Sequence, residues 1–290
     1  MLHSDPLLLM QVTVFSCGGF VLGLTWDHCI ADGVGIGQFM QAVGELSRRL
    51  PSPSVIPAGR WDGSLICIHQ TLLRIHGLQQ SSLVLVDIRL PSSLISRIKQ
   101  EFSMGAHKCS TFEVLTVVLW PCRTRAVMDD PKAPTMLAFA VNTRKYAGAK
   151  DGYYGNCIIM APVMSTCDLV ANRDIKHVIN MIQRAKNQIS GQYSNHNKHD
   201  VDGLQEFHAN KGLLGYNYCT VSCWRNLGIE KADFGGGRPA RVKAYTKSMM
   251  SLPICFLCPP CKDNEFFSVT SLCVKEEHAG AFLRELSNFT

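Results

Sequence analysis

Charged side chains are scarce in this 290-residue chain, since Asp, Glu, Lys and Arg together make up only 18% of it. Hydrophobic residues reach 46%, which excludes a disordered tail, a collagen or a coiled coil and is ample for a buried core. The formal net charge of +6 is dispersed along the chain, so it suits a small anionic ligand better than a nucleic acid. We expect a globular protein with no nucleic-acid partner.

The signature motifs of several enzyme classes are also missing. The chain contains no G-x-S-x-G turn of serine hydrolases, no G-x-x-x-x-G-K-[ST] phosphate loop and no H-E-x-x-H zinc motif. Gly33, Gly35 and Gly37 do not have the G-x-G-x-x-G spacing of a dinucleotide-binding turn. A nucleotide-binding fingerprint is therefore not supported.

A spaced cysteine framework is absent as well, although the chain has 13 cysteines. An odd and scattered set in a chain of this size is typical of reduced thiols in an intracellular protein. Cys255, Cys258 and Cys261 form a C-x-x-C-x-x-C run that is compatible with a zinc or iron–sulfur site. No second C-x-x-C pair accompanies this run, so we expect buried thiols in a strand and a turn, and no metal.

One stretch near the N-terminus lacks charge altogether. Leu7 to Trp26 is long enough to span a membrane, but polar residues and the pair Gly18-Gly19 interrupt it. No basic residue precedes it, as a signal peptide would require. We predict two strands, 11–15 and 20–26, around a turn, and no membrane partner.

The rest of the chain mixes strands and helices without strict alternation, which favours an α+β fold. A helix after Gly33 is predicted to turn Ile36, Phe39, Met40, Val43, Leu46 and Leu50 inward. Residues 51–82 are predicted to form a linker, because prolines and glycines break regular structure there. Ser110 and Glu113 form a capping box, and Pro121 should kink the helix that follows or end its first half. The other predicted strands are 83–90, 136–141, 216–223, 254–257 and 267–274, and the other predicted helices are 92–102, 173–189 and 276–286.

Two short segments carry candidate chemistry. His28 leaves the end of a predicted strand, and Asp32-Gly33 follows four positions later. A histidine there can accept a proton from a hydroxyl or amine, although the same pattern also fits a core histidine and an aspartate that caps a helix. The second segment, Asp233-Phe234-Gly235-Gly236-Gly237, allows a backbone conformation open only to glycine, or forms an ordinary turn.

Taken together, the two segments resemble the BAHD acyl-CoA-dependent acyltransferases of plants, which carry H-x-x-x-D-G and, later, D-F-G-W-G. Here Gly236 stands where the family has Trp, Pro121 where a helix residue, often Arg, is usual, and Cys223 where Ser is usual. The other matching segments are Phe15 to Phe20, Lys108 to Glu113 with Trp120, Asn142-Thr143-Arg144, Tyr154-Gly155-Asn156 and Val221-Ser222-Cys223-Trp224.

The resemblance implies an α+β fold of two similar domains, of the chloramphenicol-acetyltransferase-like type, with a solvent channel between them. Residues 1–60 would be the remnant of the N-terminal domain, 61–82 the crossover linker and 83–290 the C-terminal domain. Family members usually have a longer chain ahead of the histidine motif. We therefore expect this chain to be truncated at its N-terminus, with the first domain incomplete.

The resemblance also implies roles for individual residues. His28 would be the general base in the channel, and Asp32 would pair with Arg144 to fix the loop that begins at His28 and ends at Gly33. In the family, the D-F-G-W-G segment maintains structure and the donor site. In this chain the segment would comprise Asp233, Phe234, Gly235 and Gly237. Ser110 and Ser222 resemble positions that contact coenzyme A.

The implied reaction moves an acetyl, benzoyl or hydroxycinnamoyl group from acyl-CoA to a hydroxyl or amine of a plant specialised metabolite. Acyl-CoA would be a co-substrate, with no bound cofactor. Residues Pro53 to Pro57 and Lys108 to Glu113 resemble the alcohol, benzoyl and taxane acyltransferase branch. We expect a cytoplasmic monomer whose partners are acyl-CoA and a small acceptor. The alternative is a catalytically inactive BAHD-like fragment with a binding role or none.

Overall fold

A β-hairpin opens the structure, a computed structural model that describes residues 6–59, 83–103, 108–194, 215–245, 253–261 and 265–289. Strands β1 (Leu8–Val14) and β2 (Phe20–Trp26) pair antiparallel, with Leu8 opposite Trp26. Gly18 has a φ of +82°, a conformation that favours glycine and closes the turn. The predicted hairpin is confirmed, and its first strand begins three residues earlier than expected.

Helix α1 (Gly33–Ser47) packs beneath the hairpin. Side chains alternate between the two faces of a strand, so eight apolar residues share one hairpin face. These residues are Leu8, Met10, Val12, Val14, Phe20, Leu22, Leu24 and Trp26. Of these, Leu8, Leu22, Leu24 and Trp26 pack against the cluster that contains Ile36 and Met40 of α1. The predicted inward face of α1 is only partly right, because Leu46 and Leu50 are about half exposed, whereas the glycines Gly35, Gly37 and Gly44 are buried beside Ile36 and Met40.

The larger sheet has six strands and is mixed. Its members are β3 (Val86–Pro91), β4 (Pro134–Asn142), β5 (Ile158–Thr166), β6 (Tyr218–Cys223), β7 (Ile254–Leu257) and β8 (Phe266–Leu272). They lie in the order β3-β8-β7-β6-β4-β5. The pairs β4–β6 and β6–β7 are parallel and the other pairs are antiparallel. Strand β5 was not predicted from the sequence. It contains Pro162, which cannot donate to a ladder and is tolerated because β5 is an edge strand.

Six further helices accompany this sheet in the described part of the chain. They are α2 (Ser92–Ser103), α3 (Thr111–Val127), α4 (Arg144–Ala147), α5 (Cys167–Asn172), α6 (Ile175–Ser194) and α7 (Glu276–Ser287). The core lies mainly between the sheet and α3, whose Val117, Val118 and Trp120 are fully buried. The predicted capping box of Ser110 and Glu113 is confirmed at the start of α3.

Pro121 does not end α3, which continues for six more residues to Val127. A proline inside a helix lacks the N–H that would bond the carbonyl four residues earlier, at a cost of about 3 kcal/mol. Burial of almost every side chain of α3 outweighs this cost, since each large apolar side chain contributes about 1.5–3 kcal/mol when it is fully buried. Of the two predicted effects of Pro121, an end to the first half of the helix is therefore wrong, and a kink stays a prediction.

Two of the three cysteines in the C-x-x-C-x-x-C run are buried, Cys255 in β7 and Cys258 just after it. The third, Cys261, is half-buried. Over the described ranges, no group of three or more His, Cys, Asp or Glu side chains is arranged to hold a metal ion. No helix in these ranges is both long and apolar enough to cross a membrane. The predicted linker 61–82 lies outside the described residues, and the domain boundaries stay a prediction.

Candidate active site

The loop from Asp27 to Asp32, hereafter the His28 loop, connects β2 to α1. The indole N–H of Trp26 donates to the carbonyl oxygen of Ala31 at 3.2 Å, so the two ends of the loop are tied together. The carboxylate of Asp27 accepts the backbone N–H of Cys29 at 2.8 Å. Hydrogen bonds with Cys29 hold the pKa of Asp27 below its usual value, and they raise the pKa of the Cys29 thiol. The His28 side chain is exposed to solvent at the top of this loop.

Asp32 is buried, with 1% of its surface exposed, whereas His28 is exposed to solvent. Its Oδ1 accepts the backbone N–H groups of Val34 and Gly35 at 3.1 and 3.0 Å, which caps the N-terminus of α1. Arg144 donates to both carboxylate oxygens at 2.8 Å, and the N–H of Cys157 donates to Oδ2 at 3.0 Å. None of these five hydrogen bonds involves His28. Asp32 is therefore placed to fix the His28 loop and not to orient the imidazole.

Arg144 joins the His28 loop to the segment between β4 and β5. Its Nε donates to the carbonyl of Tyr153 at 3.2 Å, and its Nη2 donates to the carbonyl of Gly155 at 2.7 Å. The guanidinium therefore satisfies a buried carboxylate and two backbone carbonyls at once, an arrangement for which its planar set of five donors is suited. The structure brings Asp32 and Arg144 together at the end of the His28 loop, and Gly33 follows as the first residue of α1.

Asn156 is a further residue at this site, and sequence reasoning did not single it out. Its Nδ2 donates to the backbone carbonyl of His28 at 2.7 Å. Asn156 follows Tyr154 and Gly155 in a segment that matched the family, so the signal was in the sequence without a role attached to it. The His28 loop is consequently held at two points by the chain that leads into β5, at Asp32 and at His28 itself.

Glycines let α1 approach its neighbours closely. A Cβ atom on Gly35 would overlap the carbonyl oxygen of Tyr154, and one on Gly37 would overlap the carbonyl oxygen of Leu227. A Cβ on Gly44 would meet the carbonyl oxygen of Asp233 at 2.5 Å. The glycines that do not fit a nucleotide-binding turn are thus explained by close backbone contacts on two sides of α1, with Tyr154 at Gly35 and with Leu227 and Asp233 at Gly37 and Gly44.

We expect Gly35→Ala to lower the free energy of unfolding by about 1–3 kcal/mol or more, because α1 must move away from Tyr154 to make room for the methyl group. Gly236→Ala is the matched control, since a Cβ at Gly236 meets nothing within 4 Å. That control should change stability by no more than about 1 kcal/mol in either direction. Urea unfolding of both variants checks this, and equal effects would contradict the packing argument.

The Asp233 segment lies at the other end of α1. The Oδ1 atom of Asp233 accepts the N–H groups of Gly235 and Gly237 at 2.8 and 2.9 Å, and Arg48 Nη1 lies 3.5 Å from Oδ2. The N–H of Gly235 is the main cause that holds the pKa of Asp233 below its usual value. Gly235 and Gly237 have φ values of +101° and +89°, so glycine is required at both positions.

This segment is tied to the C-terminal half of α1, through Gly44 and Arg48, whereas His28 precedes its N-terminus. At 1.5 Å per residue, the length of α1 separates the two by roughly 20 Å. Phe234 packs edge-on against Phe20 of the hairpin, with ring centroids 6.1 Å apart. The structure therefore does not bring Asp233, Phe234, Gly235 or Gly237 together with His28, and it shows them supporting α1 and the hairpin.

The two serines expected near coenzyme A have different surroundings. Ser110 caps α3, where its Oγ accepts the N–H of Glu113 at 3.3 Å. Burial opposes ionisation of Glu113, but hydrogen bonds from Lys186 and Ser110 nevertheless hold its pKa below the usual value. Ser222 is half-buried in β6, two residues before Trp224, whose ring lies 6.1 Å from that of Trp26. Neither role at a donor site is tested by this geometry, and both stay predictions.

Solved structures share this fold. Vinorine synthase superposes with a TM-score of 0.75 at 15% identity, covering 100% of this chain and 67% of its own. TRI101 of F. sporotrichioides, solved as a complex with coenzyme A and T-2, superposes with a TM-score of 0.68 at 17% identity, covering 98% of this chain and 70% of its own. These likenesses confirm the predicted α+β, two-domain acyltransferase fold.

Sequence relatives give the same family. Acyl transferase 15 of Oryza sativa subsp. japonica is 44% identical over 298 residues, which cover 97% of this chain and 66% of the relative. Benzyl alcohol O-benzoyltransferase of Petunia hybrida is 28% identical over 80% of this chain and 53% of the relative. The chain spans just under two thirds of the length of the first curated relatives that it matches. Because the model of the Transferase family also matches residues 2–75 and 79–283, the chain belongs to that family, the BAHD acyltransferases.

Proposed function

We propose that this chain transfers an acyl group from acyl-CoA to a hydroxyl or amine of a small plant metabolite, with His28 as the general base. The observation that carries the proposal is the buried anchor of the His28 loop, in which Asp32 and Arg144 are joined by two hydrogen bonds of 2.8 Å. This anchor fixes the loop while the His28 side chain stays exposed to incoming molecules. Family membership supports the same reaction class.

The chemistry follows from the position of an exposed imidazole on a fixed loop. An imidazole nitrogen of His28 accepts the proton of the acceptor hydroxyl or amine as that group attacks the thioester carbonyl carbon. The tetrahedral intermediate then collapses, the C–S bond breaks and the acyl group stays on the acceptor. The imidazolium returns its proton to the departing thiolate of coenzyme A, so His28 ends the cycle neutral. No group other than the two substrates is consumed.

The names of relatives and the net charge support the substrate class. The Petunia relative is named a benzyl alcohol O-benzoyltransferase, and TRI101 was solved with coenzyme A and T-2. We infer a donor that is acetyl-, benzoyl- or hydroxycinnamoyl-CoA, and an acceptor from plant secondary metabolism, within the alcohol, benzoyl and taxane branch. The net charge of +6 suits the polyanionic donor. We place the protein in the cytoplasm, as a transferase that uses acyl-CoA as co-substrate.

The proposal is tested by incubating the whole 290-residue chain with each of the three acyl-CoA donors and a panel of alcohols and amines. Ester or amide products should be followed by chromatography and mass spectrometry. A thiol reagent would be misleading, because Cys17 and Cys29 are exposed and would react with it. We expect product that depends on both donor and acceptor. A folded, soluble chain that forms no product with any pair would contradict the proposal and favour the inactive, binding-only alternative.

A further inference from the structure

The His28 loop is held on one side by Arg144 and Asn156, which both precede β5. The beginning of the loop, where β2 ends, has a different neighbour. Trp26 is the last residue of β2, and its indole ring lies against that of Trp224, with the ring centroids 6.1 Å apart and the planes tilted by 46°. This separation lies within the range over which aromatic pairs attract each other. The loop therefore has a second contact with the larger sheet, made by side chains that the site described above does not use.

Trp26 is bonded to the loop that follows it. Its indole N–H donates to the carbonyl oxygen of Ala31 at 3.2 Å, which joins the first and last parts of the loop. The backbone N–H of Asp27 donates to the carbonyl of Leu7 at 2.7 Å, so the hairpin ladder continues to the start of the loop. One side chain thus connects the end of β2 to both ends of the His28 loop. A displacement of the Trp26 ring must be passed on to that loop.

Trp224 is in turn fixed by the larger sheet. Its backbone N–H donates to the carbonyl of Leu257 at 2.9 Å, which extends the pairing of β6 with β7 by one residue. Its ring meets that of Phe256 edge-on, with centroids 5.5 Å apart and planes at 76°. Phe256 is 8% exposed and belongs to an apolar cluster on the sheet. Trp26, Trp224 and Phe256, hereafter the aromatic row, form a continuous path of packed rings from the His28 loop to the sheet.

The hairpin makes another aromatic contact, at its opposite end. Phe20 is the first residue of β2 and packs edge-on against Phe234, with centroids 6.1 Å apart. Six strand positions of about 3.3 Å each separate Phe20 from Trp26 by roughly 20 Å. One aromatic contact therefore lies at the His28 loop and the other lies near the turn of the hairpin. This difference makes Phe20 a control for effects that come from the hairpin as a whole.

We propose that Trp224 is a positioning residue for His28, which acts through Trp26 to hold the His28 loop against the larger sheet. The proposal rests on the proposed role of His28 as the general base. Trp224 also follows Ser222 by two positions, and side chains alternate along a strand, so the two side chains lie on the same face of the sheet. The same ring therefore fixes the loop of the base relative to β6, the strand that carries the predicted contact with coenzyme A.

The kinetic test compares three variants of the whole chain. Trp224→Ala should lower kcat by about 10–100-fold, since a displacement of about 1 Å at the reacting groups is sufficient for a loss of that size. The KM values for donor and acceptor should stay within about twofold, because proton transfer in the transition state is lost and substrate binding is not. Trp224→Phe keeps an aromatic ring against Trp26 and should recover most of the lost kcat. Phe20→Ala should leave kcat and KM unchanged.

A second measurement does not depend on activity. Deuterium exchange followed by mass spectrometry reports how well the His28 loop is held, since the N–H of Ile30 donates to the carbonyl of Asp27 at 3.1 Å within it. Trp224→Ala should raise exchange in this loop by about tenfold, which corresponds to the loss of one aromatic pair. Trp26→Phe should raise it as well, because it keeps a ring but lacks the indole N–H. Amides of β4 should exchange as in the wild type in both variants.

Three results would overturn the proposal: wild-type exchange in the loop of Trp224→Ala, a loss of kcat in Phe20→Ala equal to that in Trp224→Ala, or a raised KM with unchanged kcat. The last result would make Trp224 a residue that binds substrate. If urea unfolding shows that Trp224→Ala does not fold, Trp26→Phe decides, and wild-type exchange in its loop overturns the proposal. A wild-type chain that forms no product would contradict the role of His28 as base, whereas exchange would still decide whether Trp224 holds the loop.

Discussion

Arg144→Ala is expected to lower the free energy of unfolding by about 3–5 kcal/mol, because it leaves the buried carboxylate of Asp32 without its cation. The side chains of Arg144 and Asp32 are 15% and 1% exposed, so water cannot replace the lost donors at Asp32 without opening the loop. The variant should also lose acyl transfer, since the His28 loop is no longer fixed. Urea unfolding followed by circular dichroism measures the first effect.

A double-mutant cycle distinguishes the loss of the interaction between Asp32 and Arg144 from a general loss of packing. If Asp32→Ala and Arg144→Ala remove the same interaction, the double variant should cost about 1–3 kcal/mol less than the sum of the two single variants. Arg241→Ala is the matched control, because Arg241 pairs with Asp87 on the surface, where each side chain is 34% exposed. That variant should cost less than about 1 kcal/mol. Additive effects of Asp32→Ala and Arg144→Ala would show that the pairing does not carry the stability.

His28→Ala is expected to lower kcat by about 10²–10⁴-fold while leaving the free energy of unfolding almost unchanged. The side chain is exposed, so its removal creates no cavity. The bond from Asn156 ends on the backbone carbonyl of His28, which alanine retains. The measurement is product formation under saturating donor and acceptor, together with urea unfolding of the same preparation.

Cys29→Ala is the appropriate control for this variant, because Cys29 is the exposed neighbour of His28 on the same loop. It should keep most of the activity, since the Asp27 carboxylate bonds the backbone N–H of Cys29 and not only its thiol. Turnover by His28→Ala that matches the wild type would refute the assignment of the base. A loss of stability as large as that of Arg144→Ala would instead give His28 a structural role.

Local signals in the sequence were sufficient to predict several structural elements. The capping box of Ser110 and Glu113 and the glycine turn between β1 and β2 depend on residues within a few positions of each other. Contacts within one turn follow from backbone geometry alone, so the sequence specifies them. Most of the predicted strands and helices were confirmed for the same reason, with ends that shift by a few residues.

Features that depend on distant parts of the chain were predicted less well. The inward face of α1 was misjudged, because the backbones of Tyr154 and Leu227 approach α1 at two buried glycines that a search for apolar side chains does not count, whereas Leu46 is 50% exposed. Pro121 was expected to kink α3 or to end its first half, and the helix does not end there because almost all of its side chains are buried. The contact of Asp32 with Arg144 was predicted only from the family resemblance. The bond from Asn156 to His28 joins residues 128 positions apart, so no local pattern could reveal it.

The anchoring of the His28 loop also sets the order in which the site can form during synthesis. Asp32 lies near the beginning of the chain, but its partners Arg144 and Cys157 come 112 and 125 residues later. A ribosome that has released the hairpin and α1 has therefore made His28 without the groups that hold its loop. Contacts at such sequence separation form slowly, because a long loop must close first. The hairpin and α1 must remain soluble until the segment through Cys157 emerges, and only then can the loop take its final conformation.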